Sequence, residues 1–257
     1  MRIGLSLRLL NDVSVEVKPY VQDHDSKKHQ VKKMFDKISP VYDFLNGFLS
    51  LGIDRIWRTK ALSYIPSNLE NLKVLDVATG TAALAIQTAQ LHSTVHIIGV
   101  DISDGMIQTG LHKVSDKKLQ NRIHLQLGDS ENLEFEDQKF HCVTAAFGVR
   151  NFENLEKGLA EMFRVLKPGG RCIVLEFSKP RIFPFKQIFG LYFRYILPWT
   201  GKLISKDSRA YSYLYESVQQ FPDYERFTNK LKDAGFSNCF YKSLSLGICC
   251  IYIGEKS

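Results

Sequence analysis

A doubly wound α/β fold with a mostly parallel sheet is predicted by three features of the chain. Apolar, β-branched runs alternate with helix-like segments from residue 74 to residue 177, the order expected of parallel strands joined by crossover helices. The first run is apolar throughout rather than at every second residue, as a strand covered on both faces requires. That run, VLDVA at 74–78, stops at a small-residue turn, Thr79-Gly80-Thr81, and a helix over 82–91 opens at once. A strand, a glycine turn and a helix N-terminus leave main-chain N–H groups aimed at a polar or anionic ligand.

The remaining elements follow in order. Residues 1–26 carry no periodic pattern and read as a mobile N-terminal arm. From 27 to 46 the text is KKHQVKKMFDKISPVYDFLN, with Val31, Met34, Phe35 and Ile38 at helical spacing and Pro40 interrupting the helix. A second helix, 54–64, begins on Asp54 as N-cap and packs Ile56, Trp57 and Leu62. Residues 27–66 thus form a helical cap at one end of the sheet. A strand over 95–101 ends in Asp101, and a helix over 103–118 is capped by Ser103. Strands over 123–127 and 140–147 run into Gly128-Asp129-Ser130 and Gly148-Val149-Arg150-Asn151. A helix over 155–166, the turn Lys167-Pro168-Gly169-Gly170 and a strand over 171–177 close the series. Within a helical insertion at 181–222, Phe185, Ile188, Phe189, Tyr192, Phe193 and Ile196 share one face. Core packing, a dimer contact and a greasy entrance for a ligand all suit that face. The tail reads as a helix over 224–234, a stop at Gly235, and two strands near Cys239 and Ile248 that add an antiparallel edge. No repeat or low-complexity segment divides residues 27–257, so they form one domain.

Composition narrows the class. With 44% hydrophobic residues in 257, the chain has ample material for one core. A net charge of +7, from 34 basic and 27 acidic residues, permits contact with an anionic surface but is ordinarily a solvated face. The five cysteines show neither C-x-x-C nor zinc spacing, and four lie in apolar strand-like runs, which fits a reducing compartment. The short apolar run between Arg2 and Arg8 lacks a cleavage site and does not read as a signal peptide. No stretch approaches ~20 uncharged apolar residues.

Ligands of doubly wound sheets bind beyond the carboxyl ends of the strands, so the strand tips carry the chemistry. The loop has one glycine where a dinucleotide fingerprint needs three, and no Gly-Lys-Ser/Thr ending for a Walker loop. It resembles the looser Asp-x-x-x-Gly-Thr loop of S-adenosylmethionine-dependent methyltransferases. On that reading Asp101 meets the ribose hydroxyls, Asp129 and Ser130 meet the adenine, Gly80 and Thr81 sit beside the amino-acid end, and Asp76 orients them. Each acid alone suits a helix cap; three consecutive strand tips together suit a nucleoside site.

Longer stretches sharpen the resemblance. Residues 74–84, 99–101 and 128–133, FGVRN (147–151), RVLKPGG (164–170) and LEFSKP (175–180) look like the ubiquinone/menaquinone-biosynthesis C-methyltransferase family, as do MFDKISPVYDFLN (34–46), SLGIDRIWR (50–58) and YLYESVQQFP (213–222). The resemblance implies a class I S-adenosylmethionine-dependent fold, a seven-stranded sheet with an antiparallel edge strand. It also implies methyl transfer to a ring carbon of a polyprenylated quinol, without a metal. A demethylmenaquinol is the expected acceptor; benzoquinol methylation in ubiquinone synthesis and a non-catalytic scaffold of a quinone-biosynthetic complex stay open. Arg150 is expected beside the acceptor, stabilising its phenolate or polarising a water, since a guanidinium does not serve as a base. Asn151 would orient it, and Tyr42 and Asn46 resemble substrate-side residues. The expected setting is cytoplasmic, with peripheral contact at the inner face of the membrane through Lys186 and Arg194, and a homodimer is compatible with the apolar insertion. Nucleic acid is not an expected partner, because the chain has no Pro-Pro-aromatic motif and no Pro-Cys nucleophile. Two positions depart from the family pattern: Ala82 and Ala83 stand where a glycine and an acid are usual, and Ala146 where a serine is frequent.

Overall fold

The computed structural model describes residues 17–50, 52–66, 71–191, 194–195 and 208–257. Strands β1 (Lys73–Val77), β2 (His96–Asp101), β3 (Ile123–Leu127), β4 (Phe140–Ala146), β5 (Leu166–Phe177), β6 (Ser237–Leu244) and β7 (Cys249–Glu255) form one sheet. Its order is β3-β2-β1-β4-β5-β7-β6. β1 to β5 are mutually parallel, and β7 runs antiparallel to both β5 and β6. The antiparallel addition at one edge is therefore present, β7 being the strand that opposes the rest.

Helices cover both faces: α4 (Ala83–Leu91) and α5 (Asp104–Asp116) follow β1 and β2, and α6 (Leu155–Arg164) follows β4. Along β1, Val74 faces one core with α4, while Leu75 and Val77 face another with Leu159 and Met162 of α6. Burial on both sides explains the uninterrupted apolar run. Four cysteines, Cys142, Cys172, Cys249 and Cys250, are buried and unpaired, as small core hydrophobes.

Boundaries moved in three places. β5 already begins at Leu166, because Leu166 pairs with Phe140 and Arg171 with Cys142, so that Lys167-Pro168-Gly169-Gly170 loops out of a continuing strand. The third helix is α3 (Ile53–Leu62), with Gly52 (φ 74°) as its N-cap; Asp54 instead lies in its first turn, bonded to Arg58 and Ser50. Residues 17–26 are tied down: the Tyr20 N–H donates to Gln30, and Arg209 donates to the carbonyls of Pro19 and Lys18.

The cap comprises α1 (Lys27–Ile38), a single turn over Ser39–Val41 containing Pro40, α2 (Tyr42–Leu49) and α3. Ser26 caps α1 by accepting from the His29 N–H. The tail continues with α7 (Phe185–Leu191), α8 (Ser208–Gln220) and α9 (Glu225–Asp233). Of the apolar face expected around residue 190, Phe189 is buried against α1 and α8, whereas Phe185 and Ile188 are exposed. Tyr192, Phe193 and Ile196 lie outside the described residues.

Candidate active site

The strand order reverses between β1 and β4, and a cavity of about 500 Å³ opens at the carboxyl ends of the strands there, a size usual for small-molecule sites. Its floor is the loop after β1, where Ala78 (φ 52°), Gly80 (φ 55°) and Ala82 (φ 62°) are all left-handed. That conformation costs an alanine about 1–2 kcal/mol and persists because the loop is held at every side. Thr79 N–H donates to the Val100 carbonyl (3.0 Å) and Ala82 N–H to the Thr79 carbonyl (3.0 Å). Gly80 N–H donates to Asp101 Oδ2 (2.8 Å) and Thr79 Oγ1 to Asp76 Oδ2 (2.6 Å). Among the described residues no N-cap side chain bonds α4, whose Ala85 N–H instead donates to Asp76.

Asp76 is fully buried and also accepts from Thr144 Oγ1 of β4 (2.7 Å), a bond across the switch point. Burial pushes its pKa up to about 6, against the opposing pull of the two threonine hydroxyls. Between pH 4 and 6 the folded chain therefore keeps a proton that the unfolded chain has released, and stability declines as pH rises through that window. The penalty reaches about 3 kcal/mol above pH 6. Asp76→Asn keeps an oxygen and a near-identical shape, so denaturant unfolding should show the variant gaining on the parent by up to that amount between pH 4 and pH 7. A parallel pH course for the two proteins would refute the buried-acid assignment.

Asp101 ends β2. Its Oδ2 takes the Gly80 N–H and its Oδ1 the Ser103 N–H (2.9 Å), and burial raises its pKa. A carboxylate accepts about four hydrogen bonds, so room for a diol remains. At the tip of β3, Asp129 accepts from the Glu131 N–H (2.9 Å), and Ser130 lies beside it on the cavity wall. Asp76, Gly80, Thr81, Asp101, Asp129 and Ser130 all line this one cavity, together with Tyr42 and Asn151. The Asn46 side chain lies outside the described residues.

Arg150 is the exception. It does not line the cavity: its guanidinium is buried behind the loop, 7% exposed, with Nη1 2.9 Å from Oε1 of Glu176, which is 0% exposed. Nη1 also donates to the Phe147 carbonyl, and the guanidinium lies over the Phe177 ring at 5.6 Å. Asn151, 9% exposed, does line the cavity, and its Oδ1 has no partner among the described residues. Gly148 is needed where this loop crosses the loop after β1, since a Cβ there would stand 2.5 Å from the Ala78 Cβ.

The cap reaches the site through polar contacts to the loops after β1, β2 and β3. Asp43 of α2 meets Thr81 after β1; Asp36 of α1 meets Ser103 and Gly105 after β2; Lys28 of α1 meets Asp129 and Glu131 after β3. Sequence reasoning missed Lys28, Asp36, Asp43, Glu131 and Glu176. Asp36 and Asp43 stand inside the 34–46 text, Glu131 inside 128–133 and Glu176 inside 175–180, stretches that pointed to their neighbours; Lys28 is a charged residue on α1 with no local signal.

The comparisons bear on this geometry. The ubiE/COQ5 methyltransferase family model matches residues 23–256. A demethylmenaquinone methyltransferase from Bacteroides fragilis is 43% identical over 247 residues, 96% of this chain and 100% of its own. A ubiquinone/menaquinone biosynthesis C-methyltransferase UbiE from Geotalea daltonii is 44% identical over 234 residues, covering 90% of this chain and 97% of its own. Among solved structures, the methyltransferase bound to the Haloferax volcanii Trm112 activator superposes with a TM-score of 0.62 at 17% identity, over 86% of this chain and 96% of that one. Haemonchus contortus phosphoethanolamine N-methyltransferase 2, solved with S-adenosyl-L-methionine, gives 0.61 at 14% identity, over 83% of this chain and 56% of that one. The fold is that of class I S-adenosylmethionine-dependent methyltransferases, and the cavity fits that cofactor in size and in its acids at the β2 and β3 tips. Matched along nearly all of its length by model and relatives alike, the chain belongs to the ubiE/COQ5 methyltransferase family.

Proposed function

We propose that the enzyme methylates a ring carbon of a polyprenylated demethylmenaquinol, the acceptor its relatives' names point to. The observation that carries this reading is the mixed lining of the cavity. Acids at the strand tips line it together with the rings of Phe35, Tyr42 and Phe147. Phe189 of α7 packs in the same cluster as Phe35 and Tyr42, and beyond it Ile182, Phe183 (77% exposed), Ile188 and Leu191 stand in solvent. That apolar strip beside Lys186 is the proposed path for a prenyl tail and the proposed peripheral membrane contact.

S-adenosylmethionine, when bound, supplies an electrophilic sulfonium methyl. Asp101 holds the ribose, Asp129 and Ser130 the adenine, and the Gly80-Thr81 turn the amino-acid end, so that the donor is fixed before the acceptor enters. Asn151 Oδ1 accepts the hydrogen bond of the acceptor hydroxyl. That hydrogen bond shifts electron density from the O–H bond towards the phenolic oxygen and enriches the ring carbon; as the carbon–methyl bond formed, the methyl–sulfur bond would break to leave the neutral thioether, and the proton on that carbon would pass to solvent water as the ring regained aromaticity. Arg150 acts in this arrangement as a positioning residue, fixing the Phe147 carbonyl and thereby the loop that carries Asn151. To touch the acceptor directly, it would have to strand Glu176.

The test is an in vitro assay offering reduced demethylmenaquinone and its benzoquinol analogue side by side, with products identified by mass. Methylation of the naphthoquinol at the higher kcat/KM is expected; preference for the benzoquinol would transfer the enzyme to the ubiquinone branch.

A further inference from the structure

We propose that Asp43 and Lys113, facing each other across Thr81, form the docking site for the zwitterionic amino-acid end of the sulfonium nucleoside, with Asp43 on the ammonium and Lys113 on the carboxylate. This assignment rests on the cofactor-binding reading of the cavity and adds a place for the nucleoside's charged tail. Both residues line the cavity. Thr81 Oγ1 donates to Asp43 Oδ1 (2.6 Å), Lys113 Nζ donates to Thr81 Oγ1 (3.0 Å), and Lys113 Nζ stands 2.7 Å from Asp43 Oδ2. One hydroxyl thus sits between an anion and a cation from two different helices, α2 and α5.

Three observations support the assignment. The loop itself offers no charge at this end: Ala82 and Ala83 open α4, and Ala83 lines the cavity with only a methyl group. An ammonium and a carboxylate on one ligand carbon need opposite charges a few ångströms apart, and the pair supplies them at that spacing. The side chains are 42% and 27% exposed, so the resting ion pair is hydrated and weak, and a ligand can exchange for it at little cost. Among the other acids of the wall, Asp54 pairs with Arg58 and Glu131 with Lys28 at sites less exposed than Asp43, while Asp101 and Asp129 are assigned to the ribose and the adenine. Because Asp43 arrives on the cap, this assignment also makes α2 part of the cofactor site.

Titration calorimetry with two ligands tests it: S-adenosylhomocysteine, which has the amino-acid end, and 5′-methylthioadenosine, which lacks it. Asp43→Asn keeps a side chain able to bond Thr81 but removes the charge. It should weaken S-adenosylhomocysteine about tenfold or more, the value of a charged hydrogen bond, and leave 5′-methylthioadenosine unchanged. Lys113→Met should do the same. Equal weakening of both ligands would mean that the pair only holds the cap, and no weakening of either would remove it from the site; both outcomes overturn the assignment while the nucleoside site stands. Parent enzyme that binds neither ligand would overturn the cofactor reading as well.

Discussion

Asp101→Ala should raise the dissociation constant for S-adenosylhomocysteine by about 100-fold or more, the largest binding effect of any single substitution in the cavity. Two sums lead there. On the proposed assignment the ribose loses two charge-assisted hydrogen bonds, each of about 1.5–3 kcal/mol, and about 3 kcal/mol is already more than about 100-fold. The N–H groups of Gly80 and Ser103 also lose their acceptor, which loosens the turn after β1 and the start of α5 together. Asp101→Asn separates the two contributions: one amide oxygen can keep one of those N–H groups, while the amide nitrogen serves the ribose poorly. It should fall between the parent and the alanine variant. Titration calorimetry reads both, and an Asp101→Ala protein with near-normal affinity would place the ribose elsewhere.

How far the site was legible follows from where each residue lies along the chain. Asp76, Gly80, Thr81, Asp101, Asp129 and Ser130 each stand at or just past a strand end, and the alternation of apolar runs with helices was enough to locate those ends. Parallel pairing then gathers consecutive tips, so local text predicted a shared cavity. Arg150 shows the limit of that logic. It lies in the loop after β4, but whether its side chain turns towards the ligand or behind the loop depends on Glu176, 26 residues later on the neighbouring strand β5. A buried acid inside an apolar run such as VLEF reads as an ordinary strand residue until its partner is known. The cap contacts failed for the same reason, since Lys28 to Asp129 spans 101 residues. The KPGG turn failed differently: glycine and proline mark a break, yet pairing with β4 resumes beyond them, and the sheet overrides the local signal.

Arg150→Ala should lower stability by about 3–5 kcal/mol and methyl transfer by at least about 100-fold. The first figure is that of a buried ion pair deprived of one partner: Glu176 is 0% exposed, and burial already raises its pKa against the pull of the guanidinium. Without Arg150 the carboxyl is driven further towards its neutral form. An acid whose folded pKa is raised loses stability as pH rises, so the deficit should narrow on acidification. The second figure is that of a reacting geometry displaced by about 1 Å, since the Phe147 carbonyl loses its tie and Asn151 moves with the loop. Arg150→Met combined with Glu176→Gln separates the ion pair's part in stability from the tie to the Phe147 carbonyl. It removes both charges and keeps an amide oxygen for the Phe177 N–H, which bonds Glu176 Oε1 at 2.9 Å. Denaturant unfolding should show most of the stability restored, while turnover should stay near that of Arg150→Ala, because methionine gives the Phe147 carbonyl no donor. A double variant whose turnover recovered together with its stability would show that the Phe147 tie is dispensable and that Arg150→Ala slows methyl transfer only by loosening the fold.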